Sequence, residues 1–169
     1  NPDYEAGVDD WHGAIATRFA ELLDQVPGDG AGAFLVWGDP GLYDSTIRIL
    51  ERLRTDHVVE IIPGITSIQA LTAAHGIALN RIGKPVHITT GRHLGAVRED
   101  TVVMLDGQTA FFDADPDLDI FWGAYLGTPD QVIISGRLGD VREKIVETRK
   151  QARARHGWIM DTYLLRQPG

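Results

Sequence analysis

An uninterrupted apolar run that stops at Gly-Asp-Pro-Gly constrains this chain more than any other feature. Ala33-Phe34-Leu35-Val36-Trp37 has no polar alternation and so reads as a strand buried on both faces. Gly38-Asp39-Pro40-Gly41 ends it with the densest turn signal in the sequence. A helical pattern follows, with Ile47, Leu50 and Leu53 on one face and Arg48, Glu51 and Arg52 on the other, ending near Thr55. Strand, glycine-bearing loop and helix in that order put the loop at the carboxyl end of a strand, where open α/β sheets hold ligands. The loop matches neither G-x-G-x-x-G nor G-x-x-x-x-G-K-[ST], so it offers no amide cradle with a lysine for phosphates. Asp39 would repel a pyrophosphate but accept from hydroxyls or pair with a cation, which favours a nucleoside-like or cationic ligand. A plain surface turn after a core strand accounts for the same residues and stays open at this point.

Val58 to Ile62, broken only by Glu60, reads as a second strand with a parallel neighbour. Pro63-Gly64 ends it, and Thr66 or Ser67 can cap a helix over Ile68–His75 that closes at Gly76. Hydroxyls and free amides at that helix start give a second ligand-facing edge, with a simple N-cap as the competing account. Upstream, Val8–Val26 has helical spacing of Trp11, Ile15, Phe19, Leu22 and Leu23, with Asp9 and Asp10 in its first turn and Pro27-Gly28 after its end. His12 has no second ligand at metal spacing and reads as an ordinary helix residue. Asn1–Gly7 reads as a polar lead-in rather than a strand. A sheet whose first strand is Ala33–Trp37 is short of partners, so a segment before Asn1 is expected.

After Gly76 the pattern changes. Asn80–Pro85 is a turn-rich connector, and a boundary between 77 and 78 separates an α/β domain (1–77) carrying the Gly-Asp-Pro loop from a strand-rich domain (78–169). In the latter, strands are expected over Val86–Thr90, Thr101–Leu105, Ile120–Leu126, Val132–Ser135 and Trp158–Leu164, with a charged helix over Val141–Ala154. Arg92, joined by Arg81, Lys84 and Arg98, forms the one compact basic cluster, suited to carboxylates or simply solvated.

Composition then excludes classes. With 169 residues the chain holds one domain or two small ones. Its net charge of −8 argues against a nucleic-acid partner, which wants clustered Lys and Arg. The absence of cysteine removes disulfides, thiolate nucleophiles and cysteine-based zinc sites. The six histidines are scattered, so no metal is expected. No run reaches the length of a membrane span and no signal-peptide pattern opens the chain, so no membrane association and a cytoplasmic location are the default.

Two signatures together, Gly38-Asp39-Pro40 after one apolar run and Pro63-Gly64-Ile65-Thr66-Ser67 after the next, resemble those of the tetrapyrrole methylases, S-adenosylmethionine-dependent enzymes that methylate corrin and sirohaem precursors. The alanine-rich helix ending at Gly76 and the Val102-Val103-Met104-Leu105-Asp106 stretch follow in the family order. Asn80-Arg81-Ile82-Gly83, His87-Ile88-Thr89-Thr90-Gly91-Arg92 and Tyr125-Leu126-Gly127-Thr128-Pro129-Asp130 resemble the branch that methylates the corrin precursor at C1 and releases acetate. The resemblance runs from Tyr4 to Leu165.

What it implies is an α/β fold of two domains, a mostly parallel N-terminal sheet and a mixed C-terminal one, with S-adenosyl-L-methionine in the cleft between them and S-adenosyl-L-homocysteine as product. Trp37, Gly38, Asp39, Pro40 and Leu42 would line the cofactor's amino-acid and ribose end, and Thr66 and Ser67 would meet it from the second loop. Asp106 stands where many relatives have Met, whose main chain meets the cofactor, and Leu126 corresponds to a contact near the adenine. For loss of the acyl group, Asp44, Tyr43 and Arg81 are candidates by position. Arg81, Lys84, Arg92 and Arg98 would receive the tetrapyrrole's carboxylates, and a homodimer is possible within the family. The family's opening strand and Gly-Pro-Gly-Asp-Pro-like loop do not occur here, so the 169 residues alone are expected to be inactive. Competing readings are a methylase of the same fold with another precorrin, diphthamide or ribosomal RNA as substrate, and a non-catalytic cofactor- or tetrapyrrole-binding module.

Overall fold

The computed structural model describes residues 2–53 and 58–169. Its contacts divide into two compact units, Asn1–Thr66 and Ser67–Gly169. The division falls before the alanine-rich helix rather than between 77 and 78, because that helix packs on the C-terminal sheet.

In the N-terminal unit, α1 (Pro2–Leu23) begins earlier than Val8 and ends before Val26. A proline fits its first position, where an amide would have no partner. Ala16 is buried along it, and Phe19 stacks on Phe34 at 4.0 Å. The second helix, α2 (Thr46–Leu50), spans five residues and buries Ile49. Its expected end at Thr55 lies outside the described residues. Arg52 reaches back to α1, pairing with the Asp9 carboxylate at 2.6 Å.

Neither expected strand of this unit is one. Residues 33–36 and 58–62 form no regular secondary structure and pair with no strand among the described residues, with Leu35 98% and Val58 99% exposed. An apolar run becomes a strand only where a second backbone offers it hydrogen bonds, and none does so among the described residues. The two runs line a cavity of about 720 Å³ with Leu23, Ile47 and Leu50.

The C-terminal unit begins with α3 (Ser67–His75), ended by Gly76 at φ +64°. Ile77 donates to the Thr72 carbonyl at 3.0 Å, closing the helix as the glycine signal implied. Five strands follow, β1 (Val86–Thr90), β2 (Asp100–Met104), β3 (Asp119–Ala124), β4 (Val132–Arg137) and β5 (Asp161–Arg166), with α4 (Leu138–His156) between the last two. The order is β1-β2-β5-β3-β4; β1 and β2 are parallel and the other pairs antiparallel. This is the expected mixed sheet, with β1 as expected and the other strand ends shifted by up to three residues. The helix α4 also begins three residues early, at Leu138, inside what reads as a turn.

Alternation along the strands sorts the faces. Ile120, Trp122, Ala124, Tyr163 and Leu165 join Leu138 and Ile145 of α4 in one core. On the other face, a β-carbon at Gly123 would meet the Leu71 side chain of α3 at 2.9 Å, and His75 donates to the Trp122 carbonyl at 3.0 Å. Among the described residues no helix is long and apolar enough to cross a membrane.

Candidate functional site

The two loops that the sequence singles out are interlocked within the N-terminal unit. Asp39 Oδ1 accepts the Gly41 amide at 2.7 Å, a local turn. Its Oδ2 accepts the Gly64 amide at 2.9 Å, from the second loop. A β-carbon on Gly64 would lie 2.0 Å from the Gly38 carbonyl oxygen, a distance only glycine allows. Gly38 takes φ +86°, and a β-carbon there would meet the Ile65 carbonyl at 3.5 Å. Glycine at 64 therefore answers to close backbone approach, and glycine at 38 to its left-handed φ. Pro40 holds the turn, and Leu42 closes it by donating to the Asp39 carbonyl at 3.2 Å.

Around this junction Trp37 is 65% exposed and Tyr43 is exposed at φ +52°. Left-handed non-glycine residues are uncommon and gather where a loop must present itself to a ligand. Asp44 Oδ1 accepts the Thr46 amide at 2.7 Å and so introduces α2. Thr66 ends this unit and Ser67 opens α3; Ser67 Oγ is buried without a hydrogen-bond partner among the described residues.

In the C-terminal unit the expected residues fall at opposite ends of the sheet. Asp106 follows β2, Leu126 follows β3 and Arg92 follows β1, all at one end. Arg81, Lys84 and Arg98 precede the starts of β1 and β2, at the other. There Arg81 lies 3.9 Å from Asp100 and donates to the Gln167 carbonyl, while Arg166 binds the same Asp100 at 3.0 Å. The four cations that are close in sequence thus do not form one cluster, because the parallel crossover from β1 to β2 carries Arg92 and Arg98 to opposite ends.

Asp106 is more deeply engaged than a backbone contact would require. Its carboxylate accepts from Tyr163 Oη at 2.7 Å and from the amides of Gln108 (3.0 Å) and Ala110 (2.7 Å). Its carbonyl accepts from Arg149 Nη2 at 2.6 Å. Arg149 also pairs with Asp161 at 3.2 Å, the side chains being 7% and 5% exposed, and Trp122 Nε1 donates to Asp161 at 2.7 Å. Burial pushes the Asp161 carboxyl above its ordinary value despite Arg149 and the Trp122 hydrogen bond. Burial first, then the Asp106 carboxylate, drives the Tyr163 phenol far above the usual range. The residues beside Asp106 bend sharply, Leu105 at φ +52° and Thr109 at φ +59°, as does Tyr125 after β3 at φ +51°. Sequence reasoning missed Arg149 and Asp161. A signal existed: Leu138, Ile145 and Arg149 share a helical face, so one charge stands on the buried stripe of α4.

Residues 7–142 match the family model for tetrapyrrole (corrin/porphyrin) methylases. A precorrin-6A synthase [deacetylating] from Sinorhizobium sp is 55% identical over 174 residues, covering 97% of this chain and 67% of that protein. Among solved structures, a cobalamin synthesis related protein (CobF) from Corynebacterium diphtheriae superposes with a TM-score of 0.87 at 49% identity, covering 96% of this chain and 73% of that one. The uroporphyrin-III C-methyltransferase of Thermus thermophilus, solved with S-adenosyl homocysteine, shares the fold at a TM-score of 0.52 and 21% identity, over 76% of this chain and 60% of that one.

Proposed function

Because the chain belongs to the tetrapyrrole methylases, we propose that it transfers a methyl group from S-adenosyl-L-methionine to C1 of precorrin-5, with release of acetate, to give precorrin-6A. The observation that carries this reading is the 55% identity, across 97% of the chain, to a precorrin-6A synthase [deacetylating]. The site residues fit such a cofactor. Neither interlocked loop carries Lys or Arg, so neither is built for phosphate. An exposed indole at Trp37, the buried unpaired hydroxyl of Ser67 and a glycine-lined turn suit a nucleoside with a zwitterionic tail.

The sulfonium supplies a methyl already activated toward nucleophiles, so the protein's task is placement. Trp37, Gly38, Pro40, Leu42 and Thr66 hold the amino-acid and ribose end, with Asp39 fixing their loop. The main chain at Asp106, pinned by Arg149, and Leu126 form the adenine edge. Departure of the two-carbon fragment as acetate requires water to attack its carbonyl, with a base to take the proton. Their place on the first loop makes Tyr43 and Asp44 the candidates for that role. Arg81 stands at the opposite end of the sheet from Asp106 and Leu126 and is engaged by Asp100 and the Gln167 carbonyl, so it is left out of the reacting site. Arg92 meets carboxylates from the Asp106 end, and Lys84 and Arg98 from the other.

The test is incubation with S-adenosyl-L-methionine and precorrin-5, following methylated product and acetate together. Stoichiometric precorrin-6A and acetate are expected once the family's opening strand and Gly-Pro-Gly-Asp-Pro-like loop are joined in front of the chain, and no turnover from the 169 residues alone. Methylation without acetate would assign the chain to a different precorrin, and cofactor binding without turnover would make it a binding module.

A further inference from the structure

We propose that Asp39 is an anionic clamp that seats the second loop on the first, a positioning residue rather than the counter-ion of the bound ligand; this rests on the methyl-transfer reading above. A lone carboxylate in a ligand loop ordinarily suggests a partner on the ligand, either hydroxyl or cation. Here each oxygen already accepts a backbone amide inside the protein, Oδ1 that of Gly41 at 2.7 Å and Oδ2 that of Gly64 at 2.9 Å, so the carboxylate's orientation is set by the two loops before any ligand arrives. The second bond joins positions 25 residues apart. No ladder of strand hydrogen bonds holds the segments before these loops together among the described residues. The loops meet through Gly38 and Gly64, whose backbones approach closely enough that a β-carbon on Gly64 would lie 3.7 Å from the Asp39 Cα as well as 2.0 Å from the Gly38 oxygen.

A carboxylate is the one side chain of this size that accepts on both oxygens; an asparagine offers one acceptor and turns an N–H toward the other amide. Charge assistance strengthens both bonds, and two of them in different directions fix the loops' separation. Ligand contact then belongs to what the clamp presents, Trp37, Leu42, Thr66 and the main chain between them. The same geometry accounts for glycine at 64 and aspartate at 39 as one device.

The experiment compares the protein with Asp39→Asn and Gly64→Ala by calorimetric titration of S-adenosylmethionine, S-adenosylhomocysteine and an S-adenosylhomocysteine analogue lacking the α-amino group. Exchange of the Gly64 amide is followed in the ligand-free protein. Asp39→Asn is expected to weaken all three ligands by one common factor, roughly tenfold, and to speed Gly64 exchange about as much. Gly64→Ala, which changes no charge, is expected to give the same uniform loss. Greater weakening of the sulfonium than of the thioether, or of the amino compounds than of the deaminated analogue, would make Asp39 the counter-ion and overturn the clamp. Unchanged affinity or unchanged Gly64 exchange would also overturn it. If the unaltered protein binds none of the three, the methyl-transfer reading fails, and Gly64 exchange alone decides the clamp.

Discussion

The apolar runs of the N-terminal unit and the strands of the C-terminal unit are built from the same kinds of residue and end in opposite conditions. Phe34-Leu35-Val36 and Val59-Glu60-Ile61 are as apolar and β-branched as Thr101-Val102-Val103 or Tyr163-Leu164-Leu165. Yet Leu35 and Val58 are 98% and 99% exposed, while Val102, Val103, Leu164 and Leu165 are fully buried. The difference is partners. β2 is bonded to β1 and β5, β3 to β4 and β5, and helices α3 and α4 cover opposite faces. An apolar run states that a segment requires cover on both sides; it does not say what provides it.

Amide hydrogen exchange addresses that contrast most directly and has the largest expected effect. Opening free energies run from near zero for unpaired backbone to the full stability, commonly about 5 kcal/mol or more. The amides of Val102, Val103 and Leu164 should therefore exchange roughly a thousandfold more slowly than those of residues 34–36 and 59–61. Comparable protection in both regions would mean that the apolar runs are paired in solution, and the contrast would vanish.

Side-chain truncation sharpens the comparison next. Trp122 is fully buried against α4 and anchors Asp161 through its indole N–H. Trp122→Ala should cost about 3–5 kcal/mol in urea denaturation, the range for a large buried aromatic. Leu35→Ala should change stability by less than about 0.5 kcal/mol, since none of the described residues covers that side chain. A large loss at Leu35 would break the argument that exposure, not residue type, separates the two regions.

Legibility follows the same division. The C-terminal sheet could be read from the chain because its strands alternate or run apolar between clear turns, and their hydrogen-bond partners lie within the same hundred residues. The helix from Ser67 to His75 was legible from its alanine-rich run and its glycine stop. The strands at 33–37 and 58–62 were over-read, since local composition carries no information about a neighbouring backbone. In the site, the pairing of the two glycine-bearing loops was visible as motifs, but the direction of the Asp39 carboxylate was not. The Arg149–Asp161 pair lay hidden because the two residues stand on α4 and β5, and only the fold brings them beside Asp106. The basic cluster misled for the converse reason, as sequence neighbours were carried apart by a crossover.

Within the C-terminal unit, the buried polar network at the Asp106 end separates from the apolar core by its response to pH. Tyr163→Phe removes a hydroxyl that donates to a buried carboxylate at 2.7 Å and should cost about 2 kcal/mol at neutral pH. Because the folded-state pKa of Tyr163 is raised above the ordinary 10, its contribution is complete below pH 10 and is lost as pH climbs beyond it. Stability of the unaltered protein should therefore fall above pH 10 by more than that of the phenylalanine variant. Parallel alkaline curves would remove Tyr163 from the account.

Asp161 gives the smallest effect and the most informative sign. Its carboxyl is buried, and burial raises its pKa more than Arg149 and the Trp122 hydrogen bond lower it. A carboxyl raised on folding favours the native state while protonated, so its contribution is complete below about pH 3.8 and declines as pH rises through the folded-state pKa. This opposes the usual behaviour of a salt-bridged aspartate, which gains stability over the same rise. Asp161→Asn keeps an acceptor for the Trp122 indole but no longer ionises. The stability of the unaltered protein minus that of the variant, from denaturant midpoints at successive pH values, should therefore decrease from pH 4 toward neutrality. An increase instead would mean that the Arg149 pair outweighs burial, making Arg149–Asp161 a stabilising bridge. The network that holds the Asp106 carbonyl would then be maintained by attraction between its charges, whereas a decrease means that the packing of α4 on the sheet keeps Arg149 and Asp161 together against the cost of burial.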